Sequence, residues 1–242
     1  MDSFQKALLA HLKETAPMAR SFCVDTIYFG GGTPSWYGAK RLRELLKTVR
    51  KLYRVEKDAE ITFEANPDSA DFNSMQALRR AGFNRVSFGF QSACPGELEL
   101  VHRPHTVEQG DEAVTAARKA KLNNLSLDLI YGLPGQTMAS WQETVEHALS
   151  LEPEHLSCYG LKVEEGTPLA ARAAAGEPLP DDDAQADMYL WMVERLAQAG
   201  YEQYEISNFA KPGFASRHNL RYWQLRPYIG FGPAAPSDFG GR

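Results

Sequence analysis

The sequence has few cysteines and lacks the patterns that mark several protein classes. Three cysteines among 242 residues do not make a disulfide framework, so we expect a reduced, cytoplasmic protein. No apolar run approaches the ~18 residues that span a membrane, and the N-terminus lacks the apolar core of a secretory signal. The net charge is −5 and no lysine or arginine cluster stands out, which argues against nucleic acid as a partner.

The sequence does contain a regular alternation of strand-like and helical segments. β-branched or aromatic runs predict six strands, over residues 25–29, 60–64, 85–90, 125–131, 155–161 and 202–209. The segments between them predict helices, over residues 38–53, 71–81, 106–120, 138–150 and 183–199. Such alternation implies parallel strands joined by right-handed crossovers. We therefore expect an α/β fold, either an open doubly wound sheet or an incomplete barrel.

The motif DTIYFGGGTPS, residues 25–35, places three consecutive glycines directly after the first strand. Glycine costs backbone entropy wherever it stands, so three in a row require a reason. One reading is a tight turn from strand to helix. The other is that Gly31 and Gly32 let a ligand approach the main chain. No Gly-Lys-Ser/Thr follows and the spacing is not G-x-G-x-x-G, which disfavours a phosphate-binding loop.

Polar side chains lie within or after several of the predicted strands. Glu64 and Asp128 stand in otherwise apolar strands, where a carboxylate is either paired or functional. Gln91 ends the third strand, and Arg103 follows on the next loop, where a guanidinium can bind a carboxylate through two hydrogen bonds. Parallel α/β folds place their sites at the carboxyl ends of strands. Together these residues predict a polar ligand that carries both signs of charge.

Histidines and cysteines give weaker signals of a metal site. His102 and His105 form an H-x-x-H on a loop without an obvious third ligand, so we expect no metal there. Cys23, Cys94 and Cys158 lie far apart, before, after and within different predicted strands. We expect them to be separate and inert rather than to form a cluster.

The segment SRHNLRYWQ, residues 216–224, is rich in polar and aromatic side chains. It is either a surface loop that caps the barrel, or a functional segment that serves as a lid or as the binding surface of a flat aromatic ligand.

Seven motifs, taken in order, resemble the radical S-adenosylmethionine (SAM) proteins related to oxygen-independent coproporphyrinogen III oxidase, the HemN/HemW group. They are DTIYFGGGTPS, EITFEANPDS, RVSFGFQS, HRPHT, LSLDLIYGLPGQT, EEGTPL and HNLRYW. The resemblance covers the chain from about residue 4 to residue 242. HNLRYW is similar to the H-N-x-x-Y-W signature of the HemW branch, whose members are proposed heme chaperones.

The resemblance implies an incomplete TIM-like (β/α) barrel of about six units, its first strand missing, with SAM as cofactor. Residues 1–210 would form the barrel core and residues 211–242 the start of a C-terminal extension. His218 would be a heme contact, and heme-accepting proteins would be partners. The family's cofactor-binding positions correspond here to Gly31, Gly32, Thr33, Glu64, Gln91, Arg103 and Asp128.

The sequence departs from the family at its start. The family has a C-x-x-x-C-x-x-C triplet whose thiolates hold a [4Fe–4S] cluster, and this chain has no such triplet. We therefore expect a fragment that lacks the first strand and a C-terminal domain, has the cluster only in its full-length parent, and forms no 5′-deoxyadenosyl radical. The resemblance of HNLRYW favours a HemW-type heme chaperone. The alternatives are a coproporphyrinogen III oxidase and an unrelated barrel lyase.

Overall fold

The computed structural model describes residues 2–239 and is built around a curled, half-barrel sheet of seven strands. Their order is β1-β2-β3-β4-β5-β7-β6. β1 to β5 pair in parallel, whereas β7 is antiparallel to both β5 and β6. The strands are β1 (Val24–Phe29), β2 (Val55–Ala65), β3 (Arg85–Gln91), β4 (Leu125–Tyr131), β5 (His155–Gly160), β6 (Glu202–Gln203) and β7 (Asn208–Ala210).

Helices connect the strands, and those that follow β1 to β5 pack against the apolar face of the sheet. The helices are α1 (Asp2–Thr15), α2 (Pro34–Tyr37), α3 (Ala39–Leu52), α4 (Phe72–Ala81), α5 (Pro95–Leu100), α6 (Val107–Lys119), α7 (Met138–Ser150), α8 (Pro168–Ala174), α9 (Asp182–Gln198) and α10 (Arg217–Trp223). Short 3₁₀ turns lie at Ala16–Ala19 and Pro67–Ser69. Within residues 2–239 none of the helices has the length and apolar character needed to cross a membrane.

The predicted incomplete barrel is confirmed, and local sequence features determine where its helices begin and end. Five predicted helices correspond to α3, α4, α6, α7 and α9, and their ends agree within one residue. Thr106 and Thr137 each form a capping box at a helix N-terminus. At the end of α4, Gly82 takes φ +105°, a left-handed conformation that satisfies the last carbonyl groups.

The prediction of a single strand over residues 202–209 is wrong. The structure has two short strands there, β6 and β7, which pair with each other in antiparallel fashion. The Glu205 carboxylate accepts hydrogen bonds from the backbone N–H of Ser207 and the side chain of Asn208. Side-chain bonds of this kind offer the backbone an alternative to an extended ladder, so the chain turns back before β7.

The two faces of the sheet differ in polarity because apolar and polar residues alternate along each strand. In β4, Leu125, Leu127 and Leu129 are fully buried in the core beneath the helices. The intervening Ser126 and Asp128 point to the inner, concave face. Side chains alternate with a period of two along a strand, so this pattern produces an apolar outer layer and a polar interior. The polar interior is the location of the candidate site.

Candidate functional site

A polar cavity of about 420 Å³ opens on the concave face of the sheet. Most of the residues predicted for a cofactor site line it: Gly32, Thr33, Glu64, Gln91, Arg103 and Asp128. Gly31 lines an adjoining cavity, and its backbone N–H donates to Glu64 Oε2 over 3.0 Å. The structure thus brings the predicted set to one place. Its role toward a cofactor stays a prediction.

The three glycines meet two separate requirements. Gly31 and Gly32 have φ values of +78° and +62°, in the left-handed region that glycine adopts at little cost. A Cβ atom on Gly30 would lie 2.6 Å from the Tyr28 ring and 2.8 Å from Glu64 Oε1. The turn reading is therefore correct for the backbone, and the close approach at Gly30 is to protein side chains.

Glu64 ties the glycine loop to the barrel wall. Its carboxylate accepts a hydrogen bond from the Tyr28 hydroxyl (2.8 Å) as well as from the Gly31 N–H. Burial, together with the Glu64 charge, raises the pKa of Tyr28, so this hydroxyl keeps its proton and remains a donor. The carboxylate lies at the cavity surface, where its remaining lone pairs can accept from a ligand.

Asp128 is enclosed by protein but faces the cavity. Ser87 Oγ donates to Asp128 Oδ1 over 2.9 Å. Burial raises the pKa of the Asp128 carboxyl from 3.8 to about 6, and the nearby Glu64 charge adds to this effect. The Ser87 and Ser157 hydroxyls and the Arg85 charge oppose it. A carboxylate with a raised pKa in a cleft is the pattern expected of a functional group.

Replacing Asp128 with asparagine should stabilise the protein above pH 6 and have little effect near pH 4. The pKa of Asp128 is about 6 in the folded protein and 3.8 as the ordinary value. The ionised carboxylate therefore destabilises the folded state. This destabilisation is absent below pH 3.8 and complete above pH 6. We expect a gain of about 1–2 kcal/mol at pH 8, since cavity solvent weakens the effect. Urea denaturation at pH 4 and pH 8 measures it. Asp187→Asn on α9 is the control, and an equal gain at both pH values would contradict the argument.

Gln91 reaches the cavity through an unusual backbone conformation. Its φ is +67°, which is costly for a residue with a side chain and is found most often at functional sites. The preceding Gly89 has no Cβ, and one placed there would lie 2.9 Å from Gln91 Nε2. The sequence FGFQS thus allows the amide to fold back over the strand end into the cavity.

Arg103 brings a cation to the carboxyl-end rim of the cavity. Among residues 2–239 its guanidinium forms no ion pair or side-chain hydrogen bond. Burial lowers the pKa of Arg103, and Asp128 partly opposes the shift. A half-buried arginine of this kind has its full hydrogen-bonding capacity available to a carboxylate ligand.

The HNLRYW motif forms α10, which lies inside the curve of the sheet. The Glu60 carboxylate holds its start by accepting from Ser216 Oγ and from the N–H groups of Arg217 and His218. The His218 ring stacks on Tyr28 at a centroid distance of 5.0 Å. His218 therefore belongs to the wall of the candidate site, and the motif forms a helix rather than the predicted loop.

Both ring nitrogens of His218 already have partners. Nδ1 lies 2.9 Å from Thr26 Oγ1, and Nε2 lies 3.0 Å from the Tyr222 hydroxyl. Burial lowers the pKa of His218 to about 4, so the imidazole is neutral near pH 7. The predicted role of His218 as a heme contact stays a prediction, and iron could bind Nε2 only after Tyr222 moves away.

Several cavity residues were missed in the sequence because they look like ordinary strand residues. They alternate with core residues along their strands, and that period-two pattern is the signal that could have identified them. The missed lining residues are Tyr28, Asn66, Arg85, Ser87, His155, Ser157 and Asn208.

A second cavity, larger and more apolar, of about 1370 Å³, lies between α1, β1 and residues 227–239. Phe22, Trp36, Tyr53 and Phe231 contribute aromatic rings, and Tyr222 lines both cavities. The two cavities adjoin at the glycine loop and at α10, whose His218 lines both of them as well.

The sequence profile of the radical SAM superfamily matches residues 5–148. The chain belongs to the radical SAM superfamily. Heme chaperone HemW of Mycobacterium tuberculosis is 40% identical over 99% of this chain and 62% of that protein, and HemW of Bacillus subtilis is 36% identical over 100% and 64%. Among solved structures, the chain is similar to HemN of Escherichia coli, a coproporphyrinogen III oxidase and radical SAM enzyme. The two superpose with a TM-score of 0.84 and are 26% identical in sequence. The match covers 99% of this chain and 58% of HemN. The chain thus spans about three fifths of these relatives.

Membership of the radical SAM superfamily implies SAM and a [4Fe–4S] cluster. The residues of this chain fit SAM but not the cluster. The polar cavity offers carboxylates, an amide and a free guanidinium, the groups that a zwitterionic nucleoside requires. In contrast, residues 2–239 contain no group of three histidine, cysteine or acidic residues placed to hold a metal. Cys158 is buried in β5, whereas Cys23 and Cys94 lie elsewhere, half-buried.

Proposed function

We propose that this chain is the SAM-binding barrel of a HemW-type heme chaperone, a protein that binds heme and delivers it to acceptor proteins. The observation that carries the proposal is the gathering of Glu64, Gln91, Arg103 and Asp128 beside the glycine loop in one polar cavity. The HemW relatives at 36–40% identity support the chaperone part.

In this proposal each charged end of SAM faces a residue of opposite charge. The methionine ammonium suits the Glu64 carboxylate, whose two oxygens can accept its hydrogen bonds. The backbone of Gly31–Thr33 lies beside this carboxylate and leaves room for a small group. The methionine carboxylate suits Arg103, whose guanidinium is free for it. Asp128 and Gln91 can accept hydrogen bonds from the ribose hydroxyls. When bound, SAM would supply an adenosyl group on a positively charged sulfur, and the Glu64 and Asp128 carboxylates of the same cavity would stabilise that charge.

Heme is proposed to contact the exposed aromatic face of α10. Tyr222 and Trp223 have exposed fractions of 43% and 53%, and the adjoining cavity is lined by aromatic rings. A flat macrocycle gains both apolar burial and stacking against such side chains. His218 is the proposed iron contact, with Tyr222 controlling access to its Nε2.

Heme titration into three variants tests this proposal. His218→Ala should lower heme affinity at least tenfold and shift the Soret band, because the iron loses its ligand. Tyr222→Phe should raise affinity several-fold, because it frees Nε2 without removing the ring. Asn73→Ala, on an exposed part of α4, is the control and should match wild type. Spectra identical to wild type in all three variants would remove His218 from heme binding.

The oxidase alternative has weaker support. HemN is similar in fold over nearly the whole chain but is 26% identical, below the 36–40% of the HemW proteins. Conversion of coproporphyrinogen III by a full-length version of this protein would favour the oxidase. Superfamily membership argues against an unrelated lyase. A cytoplasmic location stays a prediction.

A further inference from the structure

Arg85 is a buried cation that neither the proposed SAM site nor the heme contact uses. It is the first residue of β3, only 2% exposed, and its side chain lines the polar cavity. Among residues 2–239 the guanidinium has no ion pair and no hydrogen bond, and its Nε atom is fully enclosed without an acceptor. Buried arginines are almost always paired, so this one needs an explanation.

A second unsatisfied polar atom lies beside it. Thr62 is the neighbour of Arg85 across the β2–β3 ladder. It is fully buried, and its hydroxyl oxygen Oγ1 has no partner within the described residues. An unsatisfied buried group costs free energy comparable to a lost hydrogen bond. Arg85 lines the cavity, whereas Thr62 is enclosed beside it, beneath the cavity surface. We call this pair of adjacent polar groups without partners, Arg85 and Thr62, the cavity floor.

The acidic residues of the cavity do not neutralise this floor by direct contact. Glu64 accepts from Tyr28 and Gly31, Asp128 accepts from Ser87, and Glu60 holds the start of α10. Each of the three carboxylates is thus committed elsewhere, and none lies within ion-pair distance of Arg85. A buried charge without a partner is unfavourable by several kcal/mol, whereas a bound anion would remove the penalty.

We propose that Arg85 and Thr62 form an anion subsite at the cavity floor that binds the carboxylate of a second small molecule. This subsite is separate from Arg103, which follows the other end of β3. Arg85 begins β3, whereas Arg103 follows α5, beyond the carboxyl end of that strand. The two side chains therefore reach the cavity from different elements. Two unpaired guanidinium groups that line one cavity can bind two carboxylates, and SAM carries only one.

Propionate is a suitable probe, with propionamide as its uncharged counterpart. In chloride-free buffer, isothermal titration should detect propionate binding to wild type and none of propionamide. The variants are compared in the Arg103→Met background, because Arg103 is a second free cation that can bind propionate. In this background Arg85→Met should abolish propionate binding, and Thr62→Val should weaken it several-fold. Arg43→Met, exposed on α3, is the matched control and should leave propionate affinity unchanged. Equal propionate affinity with and without Arg85→Met would overturn the proposal.

Two further measurements distinguish this subsite from other roles of Arg85. If Arg85 is unpaired until an anion binds, its replacement removes an unfavourable buried charge. In the absence of propionate, Arg85→Met should then have a higher melting temperature than wild type. A lower melting temperature would show that Arg85 is an internal counter-charge and would contradict the proposal. Saturating SAM should leave propionate affinity unchanged. Competition between them would assign the floor to the cofactor's own carboxylate and exclude a second ligand.

Discussion

Replacing Trp141 with alanine should lower the free energy of unfolding by about 3–5 kcal/mol. The Trp141 side chain on α7 is fully buried, and its indole N–H donates to the Met188 carbonyl oxygen over 3.1 Å. Its ring also packs against Tyr131 at a centroid distance of 5.7 Å. The residue therefore joins α7, α9 and β4, and its loss leaves a large cavity and removes the hydrogen bond between α7 and α9.

Urea denaturation followed by circular dichroism measures the effect. Trp36→Ala is the matched control because Trp36 on α2 is 58% exposed, and we expect it to change stability by less than about 1 kcal/mol. Trp141→Phe retains most of the volume but loses the hydrogen bond, so it should cost about 1–2 kcal/mol. If Trp141→Ala and Trp36→Ala lowered the free energy of unfolding equally, the packing of α7 against α9 would not depend on the Trp141 ring.

The main elements of the fold could be predicted from the sequence because each has a local cause. Alternating apolar residues define β3 and β4, and threonine caps begin α6 and α7. The hairpin at β6 and β7 could not be predicted in this way. It depends on a side-chain interaction of Glu205 with Asn208, whereas the apolar pattern of residues 202–209 is equally typical of one strand.

The candidate site was predictable where a residue type is unusual for its position. A carboxylate in an apolar strand, such as Glu64 or Asp128, stands out against its neighbours. Arg85 does not, because a charged residue at the start of a strand is common on protein surfaces. Its burial arises from α10 and from the curl of the sheet, which are tertiary features. The partners of His218 were equally hidden, since Thr26 lies far away in the sequence.

Replacing Glu64 with glutamine should weaken SAM binding roughly 10- to 150-fold, the equivalent of about 1.5–3 kcal/mol for a hydrogen bond to a charged group. The Glu64 carboxylate has two roles in the proposed site. It fixes the glycine loop through the Gly31 N–H and the Tyr28 hydroxyl, and it offers negative charge to the ligand's ammonium. Glutamine keeps one acceptor oxygen but loses the charge and one of the two bonds.

Isothermal titration with SAM measures the change, and Glu112→Gln provides the control because Glu112 lies exposed on α6, away from the cavity. A companion titration with 5′-methylthioadenosine, which lacks the methionine amino and carboxyl groups, separates the two ends of the ligand. The Glu64→Gln variant should bind this analogue nearly as well as wild type does, since the lost charge faces the ammonium. A SAM affinity within twofold of wild type would show that Glu64 only braces the loop, and the ammonium would then have to be placed elsewhere in the cavity.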